Sequence, residues 1–372
     1  MIATTQQYAA MLDAAAAGSY ALPAVNVTSS ATLNGALRGF AEARSDGIVQ
    51  VTTGAGAYLS GGPIGDMALG ARALAEYAHV VGERHPVLIA LHTDHATPDR
   101  FEAFAGPLIE ESRRRVGRGA KPLFHSHMFD GSSLPLEENL RRSASLLEEL
   151  APLGVVLEVE SGVVGGEEDE LTGPEGDDDA LYTTSDDLMR VATALGTGEH
   201  RRYLLAATFG NVHGVHASRR ARLRPEILSE GQAALAARHP GRRFQYVFHG
   251  SSGSEPADVR AAIEAGVVKV NLDTDAQYAF TRAVADHVFS NYDGVLKVDG
   301  DMGRKAAYDP RSWGTTAETA LARHISEGGP ALRLRRPDVA RMISFASGTR
   351  APRARGGGPR GPGAARACRR YW

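Results

Sequence analysis

The sequence predicts an α/β protein folded as a (β/α)8 barrel of the TIM type, with an extra N-terminal helix and a C-terminal helical extension. Three observations predict it. Eight short β-rich runs alternate with helically spaced stretches over about 250 residues, the size and order of such a barrel. Within several runs the polar residues fall on one face and gather at the C-terminal end, as a closed sheet with an inward face requires. Of the 372 residues 43% are hydrophobic, enough to bury a sizeable core, which excludes a disordered or collagen-like chain. A doubly wound sheet shares the same alternation and is the alternative.

Thr4 or Thr5 caps a first helix over residues 5–17, and Gly18 ends it. The β-rich runs are PAVNV (23–27), GIVQVT (47–52), VLIALHTD (87–94), PLFHSHM (122–128), GVVLEVE (154–160), RYLLAAT (202–208), FQYVFHG (244–250) and VVKVNLD (267–273). Stretches such as SATLNGALRGFAEA, EENLRRSASLLEEL and EPADVRAAIEAG separate them with helical spacing. Period-two alternation puts Lys269, Asn271 and Asp273 on one face, Glu158 with Glu160, and His92 with Asp94. Residues 161–187 lack periodicity and are rich in Gly and acids, so they read as a lid or binding loop, or else a solvated acidic loop. Helices near 275–292 and 315–327 follow, and the barrel domain is expected to span 1–327.

Residues 328–372 form a divergent tail rich in Arg, Gly and Pro, expected to be poorly ordered. Residues 331–372 hold eleven Arg against the single acid Asp338, so the whole-chain charge of −3 hides −13 over residues 1–330. A nucleic-acid role for this tail is the less favoured reading, because aromatics appear in it only at Tyr371 and Trp372, apart from Phe345. The N-terminus has neither the basic start nor the apolar centre of an export signal, and Cys368 is the only cysteine, so a cytoplasmic location is expected, with no membrane partner.

His95, His213 and His249 each stand near the C-terminal end of a β-rich run, which in a barrel is a single rim. Three imidazoles leave one position open on a tetrahedral ion, the arrangement of a catalytic zinc site. Packing histidines are the competing reading, since neither HExxH nor CxxC accompanies them. HGSSGS (249–254) and NLDT (271–274) lie where many barrels bind phosphate, with backbone N–H groups and hydroxyls as donors. Only four lysines occur, and Lys269 is the one strand lysine facing inward. A lysine Schiff base would have to use it, and its other role is to pair with Glu158.

The segments HTDH (92–95), LEVESGVVGGEED (157–169), AATFGNVHGVH (206–216), VFHGSSGS (247–254), VVKVNLDTDAQYAFTR (267–282) and YDPRSW (308–313) together resemble class II, zinc-dependent fructose-bisphosphate aldolase, most closely its type A branch. The resemblance runs in order to about residue 327. It implies reversible cleavage of fructose 1,6-bisphosphate into dihydroxyacetone phosphate and glyceraldehyde 3-phosphate. It implies zinc on His95, His213 and His249, with Asp130 and Glu160 able to hold a second or displaced metal. Asp94 would handle the C4 hydroxyl proton and Glu168 the C3 proton. Asn26, Thr52, Gly214, Gly250, Ser252, Asn271, Asp273 and Thr274 would contact substrate. Arg311 would reach a neighbouring subunit's substrate in a homodimer or higher oligomer, and a monovalent cation, K+ or Na+, would sit near the phosphate. Four positions depart from the pattern: Ser251, which adds a side chain beside the anion where Gly is usual, Ala55 and Glu170 in place of Gly, and Thr52 in place of Ser. An aldolase for tagatose 1,6-bisphosphate fits the same residues.

Overall fold

The structure, a computed structural model, describes residues 1–162, 165–168, 171–172, 182–198, 201–213, 222–296, 302–328 and 332, with the backbone alone for 165–168, 171–172 and 212–213. The strands are β1 (Leu22–Asn26), β2 (Gly47–Val51), β3 (Ile89–Ala96), β4 (Ser126–Phe129), β5 (Val156–Glu160), β6 (Gly165–Glu168), β7 (Leu171–Thr172), β8 (Tyr203–Ala206), β9 (Val212–His213), β10 (Tyr246–Phe248) and β11 (Val267–Leu272). Eight of them close a parallel barrel in the order β1-β11-β10-β8-β5-β4-β3-β2, which excludes the doubly wound sheet. Closure is made by Leu22 against Lys269 and Ala24 against Asn271 on one side of β1, and by Ala24 against Ile48 on the other. Both faces of these strands are buried, one against the barrel interior and one against the helices, so apolar runs dominate them.

The first helix, Thr5–Gly18, is capped by Thr4 in a reciprocal box with Gln7. Gly18 is its last residue, as expected, and Ser19, with φ 49°, makes the left-handed turn that follows. Within the loop expected over 161–187, the described residues include regular structure: β6 pairs with β9 in parallel and with β7 antiparallel, and the helix Ser185–Leu195 begins behind the cap Thr184. Strands this short carry no detectable alternation, which is why composition alone read them as loop.

The C-terminal extension is a helix, Pro310–Gly328, that starts five residues before its expected beginning and takes in the DPR motif from Pro310. It lies on the helix Ser30–Ala43, where Gly35 and Gly39 permit close approach. A Cβ at Gly35 would stand 2.9 Å from Leu321 Cδ2, and one at Gly39 2.8 Å from Ile325 Cβ. Leu332 is buried, and its carbonyl accepts the Ala21 N–H at 3.2 Å. The rest of the tail proposed for 328–372, beyond Gly328 and Leu332, lies outside the described residues. Among the described residues no helix is long and apolar enough to cross a membrane.

Candidate active site

Asp94 and His95 are consecutive on β3, and regular alternation would aim them at opposite faces. His95 has φ 40°, and the β3–β4 register shifts between Thr93 and Ala96. This irregularity turns both side chains to one place, where ligand atoms of Asp94, His95 and His249 lie within 4.8 Å of one another. His249 directly follows β10, and its carbonyl accepts from Asn211 Nδ2 at 3.0 Å, which ties it to the segment after β8.

The imidazoles meet nitrogen to nitrogen: His95 Nε2 stands 2.9 Å from His249 Nδ1. The far nitrogen of each ring faces a carboxylate, with His95 Nδ1 at 3.2 Å from Asp130 Oδ2 and His249 Nε2 at 2.8 Å from Glu158 Oε1. Histidines that ligate metals are commonly backed by carboxylates in this way, so the donor set fits a divalent ion such as zinc. A second group, His95, Asp130 and Glu160, converges beside the first, and all of its members are buried. His213 is described only through its backbone, where it pairs with Gly166. That pairing fastens the strand that ends at Glu168 to the strand that carries His213.

Asp94 is buried and surrounded by donors. Gln50 Nε2 and Asn26 Nδ2 give it hydrogen bonds of 2.9 and 3.1 Å, and Asn271 Nδ2 lies 3.4 Å away. Burial alone would raise its pKa, but His95, His92, Lys269 and His249 carry it well below the usual carboxylate range. Burial works the same way on Asp130, where His95 and Ser132 outweigh it and bring the group down to about 2. Lys269, followed by His92 and His249, similarly holds Glu158 far below its ordinary value.

The remaining expected residues divide by position. Asn26 and Asn271 stand with the metal-type cluster. Gly250, with φ 64°, opens the Gly/Ser turn, and Ser251 Oγ donates to the Asn271 carbonyl at 2.6 Å. Ser252 Oγ accepts from Asp275 N at 3.4 Å, which docks the turn on the helix Thr274–Ser290 that Asp273 precedes. Thr52 caps the helix Thr53–Leu59 by accepting from Ala55 N, the position where Gly is usual. Arg311 is 86% exposed and pairs with Asp309 within the chain, away from the cluster. Gly214 and Glu170 lie outside the described residues, and nothing is described of the Glu168 side chain.

Gln50 and Asn211 escaped the sequence reading. The signal for Gln50 was a single polar residue inside GIVQVT. Asn211 had none beyond its neighbourhood in GNVHG.

The family model described as Fructose-bisphosphate aldolase class-II matches residues 6–329. A fructose-bisphosphate aldolase of Streptomyces galbus is 55% identical over 333 residues, 89% of this chain and 97% of the relative. One of Mycobacterium leprae is 50% identical over 343 residues, covering 91% and 99% of the two chains. The crystal structure of fructose-bisphosphate aldolase from Campylobacter jejuni superposes with a TM-score of 0.79 at 31% identity, over 90% of this chain and 96% of that one. The chain is therefore a member of the class-II fructose-bisphosphate aldolase family.

Proposed function

We propose that this chain is a zinc-dependent carbon–carbon lyase that reversibly cleaves fructose 1,6-bisphosphate into dihydroxyacetone phosphate and glyceraldehyde 3-phosphate, a step of glycolysis and gluconeogenesis. The observation that carries the reading is the approach of His95 Nε2 and His249 Nδ1, with a carboxylate behind each ring and Asp94 beside them. His95, His249 and His213 are proposed to hold the ion, with Asp130 and Glu160 offering a second or displaced position. When bound, zinc acts as a Lewis acid toward the ketone oxygen and spreads the charge left as the C3–C4 bond opens.

The protein's own groups are proposed to do the rest. Asp94, kept ionised by its surroundings, takes the C4 hydroxyl proton, while Asn26, Gln50 and Asn271 hold its carboxylate in one orientation. Glu168 exchanges the C3 proton of dihydroxyacetone phosphate. Gly250, Ser251, Ser252, Asp273 and Thr274 form a phosphate cradle at the N-terminus of a helix, where N–H groups favour an anion, together with Thr52, Gly214 and a monovalent cation.

Ser251 fastens that cradle to β11 through the Asn271 carbonyl. Replacing it by Ala should cost about 1 kcal/mol of stability, seen as a lower Tm, and raise KM for the bisphosphate more than it lowers kcat. An unchanged Tm and KM would show that this hydrogen bond does not shape the turn.

A homodimer is proposed on a separate observation. Within Thr274–Ser290 only Ala276 is buried, and Tyr278, Phe289 and Tyr292 on and after it are all exposed. Arg311, pointing to solvent, is proposed to complete a partner's site. Lys269 is engaged by Glu158 inside the barrel, which argues against a Schiff base. The test is an assay of fructose 1,6-bisphosphate cleavage before and after chelation, with tagatose 1,6-bisphosphate in parallel. Activity on the fructose sugar should be abolished by chelation and restored by zinc. Activity that survives full removal of metal would overturn it.

A further inference from the structure

The inward carboxylate Glu158 belongs to neither group proposed to hold metal through His95, yet three basic side chains, Lys269, His92 and His249, face it. Its Oε1 accepts from His249 Nε2 at 2.8 Å, Lys269 Nζ stands 3.1 Å from Oε1 and 2.8 Å from Oε2, and His92 Nε2 lies 3.5 Å from Oε2. Glu158, Lys269, His92 and His249 are all 0% exposed. They come from β5, β11, β3 and the end of β10, so the contacts cross the barrel interior and join strands that are not all neighbours.

A neutral imidazole has one N–H and one lone pair. An ionised carboxylate only accepts, so Glu158 requires the N–H of His249 at Nε2 and leaves the lone pair at Nδ1, the nitrogen that faces His95 and that also accepts from Asn271 Nδ2 at 3.2 Å. Lys269 reaches both carboxylate oxygens and so fixes the rotation of the group that takes the Nε2 proton's hydrogen bond. We propose that Lys269 and Glu158 are positioning residues for His249: Lys269 anchors the Glu158 carboxylate, and Glu158 holds the ring with Nδ1 turned toward the metal. This rests on the reading of His249 as a metal ligand.

The test uses the full-length protein, the charge-conserving variant Glu158→Asp, and the double variant Lys269→Met/Glu158→Gln, which removes both charges together. Zinc affinity is measured by competition with a chromogenic chelator, and the His249 tautomer of the metal-free protein by nitrogen NMR. Both variants are expected to bind zinc at least tenfold more weakly, and His249 should gain an Nδ1–H population absent from the parent. Glu158→Asp keeps the ion pair while withdrawing the carboxylate, so it answers the question even where the double variant does not fold. Folded variants that bind zinc as the parent does and keep the Nε2–H tautomer would overturn the positioning role and leave the metal site standing. A parent that binds no zinc would overturn the metal site itself, and the positioning role with it.

Discussion

Replacement of Asp94 by Asn should lower kcat for fructose 1,6-bisphosphate cleavage by about 10²–10⁴-fold while changing KM little, the scale typical of a lost general base. The substitution is nearly isosteric. Gln50 and Asn26 both donate to the same oxygen, Oδ2, so an amide oxygen placed there keeps both hydrogen bonds. What disappears is the ability to take a proton. Zinc content should stay at the parent level, because His95 and His249 retain their carboxylate partners. Steady-state kinetics with metal analysis on the same sample separates these effects, and a kcat within tenfold of the parent would remove Asp94 from the proton transfer.

Acid should destabilise the fold well before ordinary carboxylates titrate. His125 and His127 on and beside β4 are buried, and burial lowers their pKa values from 6.5 to about 4 and about 3. His125 is committed as a neutral ring, accepting the Leu91 N–H at Nδ1 and donating from Nε2 to the Ala3 carbonyl. The unfolded chain takes up a proton at each ring below pH 6.5, and the folded chain resists until about 4 and 3. Stability is therefore full above pH 6.5 and falls as the pH drops toward those values. Between pH 7 and 5 each ring should remove about 2 kcal/mol, from the conversion of one pKa unit into roughly 1.4 kcal/mol. Denaturant unfolding at the two pH values reads the sum, and His127→Leu should flatten part of the slope. A stability unchanged from pH 7 to 5 would mean that these rings are solvated or already charged in the fold.

The barrel was legible because parallel strands with two buried faces leave strong β-rich runs, and because polar residues inside them, such as Lys269 and Glu158, have few places to go except inward. The site was legible in part. His249 and Asn271 could be placed from the ends of their strands, but no periodicity puts Asp94 and His95 together. Their convergence depends on a left-handed φ at His95 and on a register shift, both set by tertiary packing. The small β6, β7 and β9 sheet was hidden for a different reason, since strands of two to four residues are too short to show a period. Gln50 was visible as a polar residue but not as a partner, because nothing in sequence joins it to a carboxylate 44 positions away.

The proposed function stands on distant imidazoles gathering around one divalent ion. Crystals grown with zinc and measured at its absorption edge test it most directly. One dominant anomalous peak is expected, bound by His95 Nε2 and His249 Nδ1, with His213 as the third imidazole. A peak that touches neither ring, or no peak in protein saturated with zinc, would contradict it.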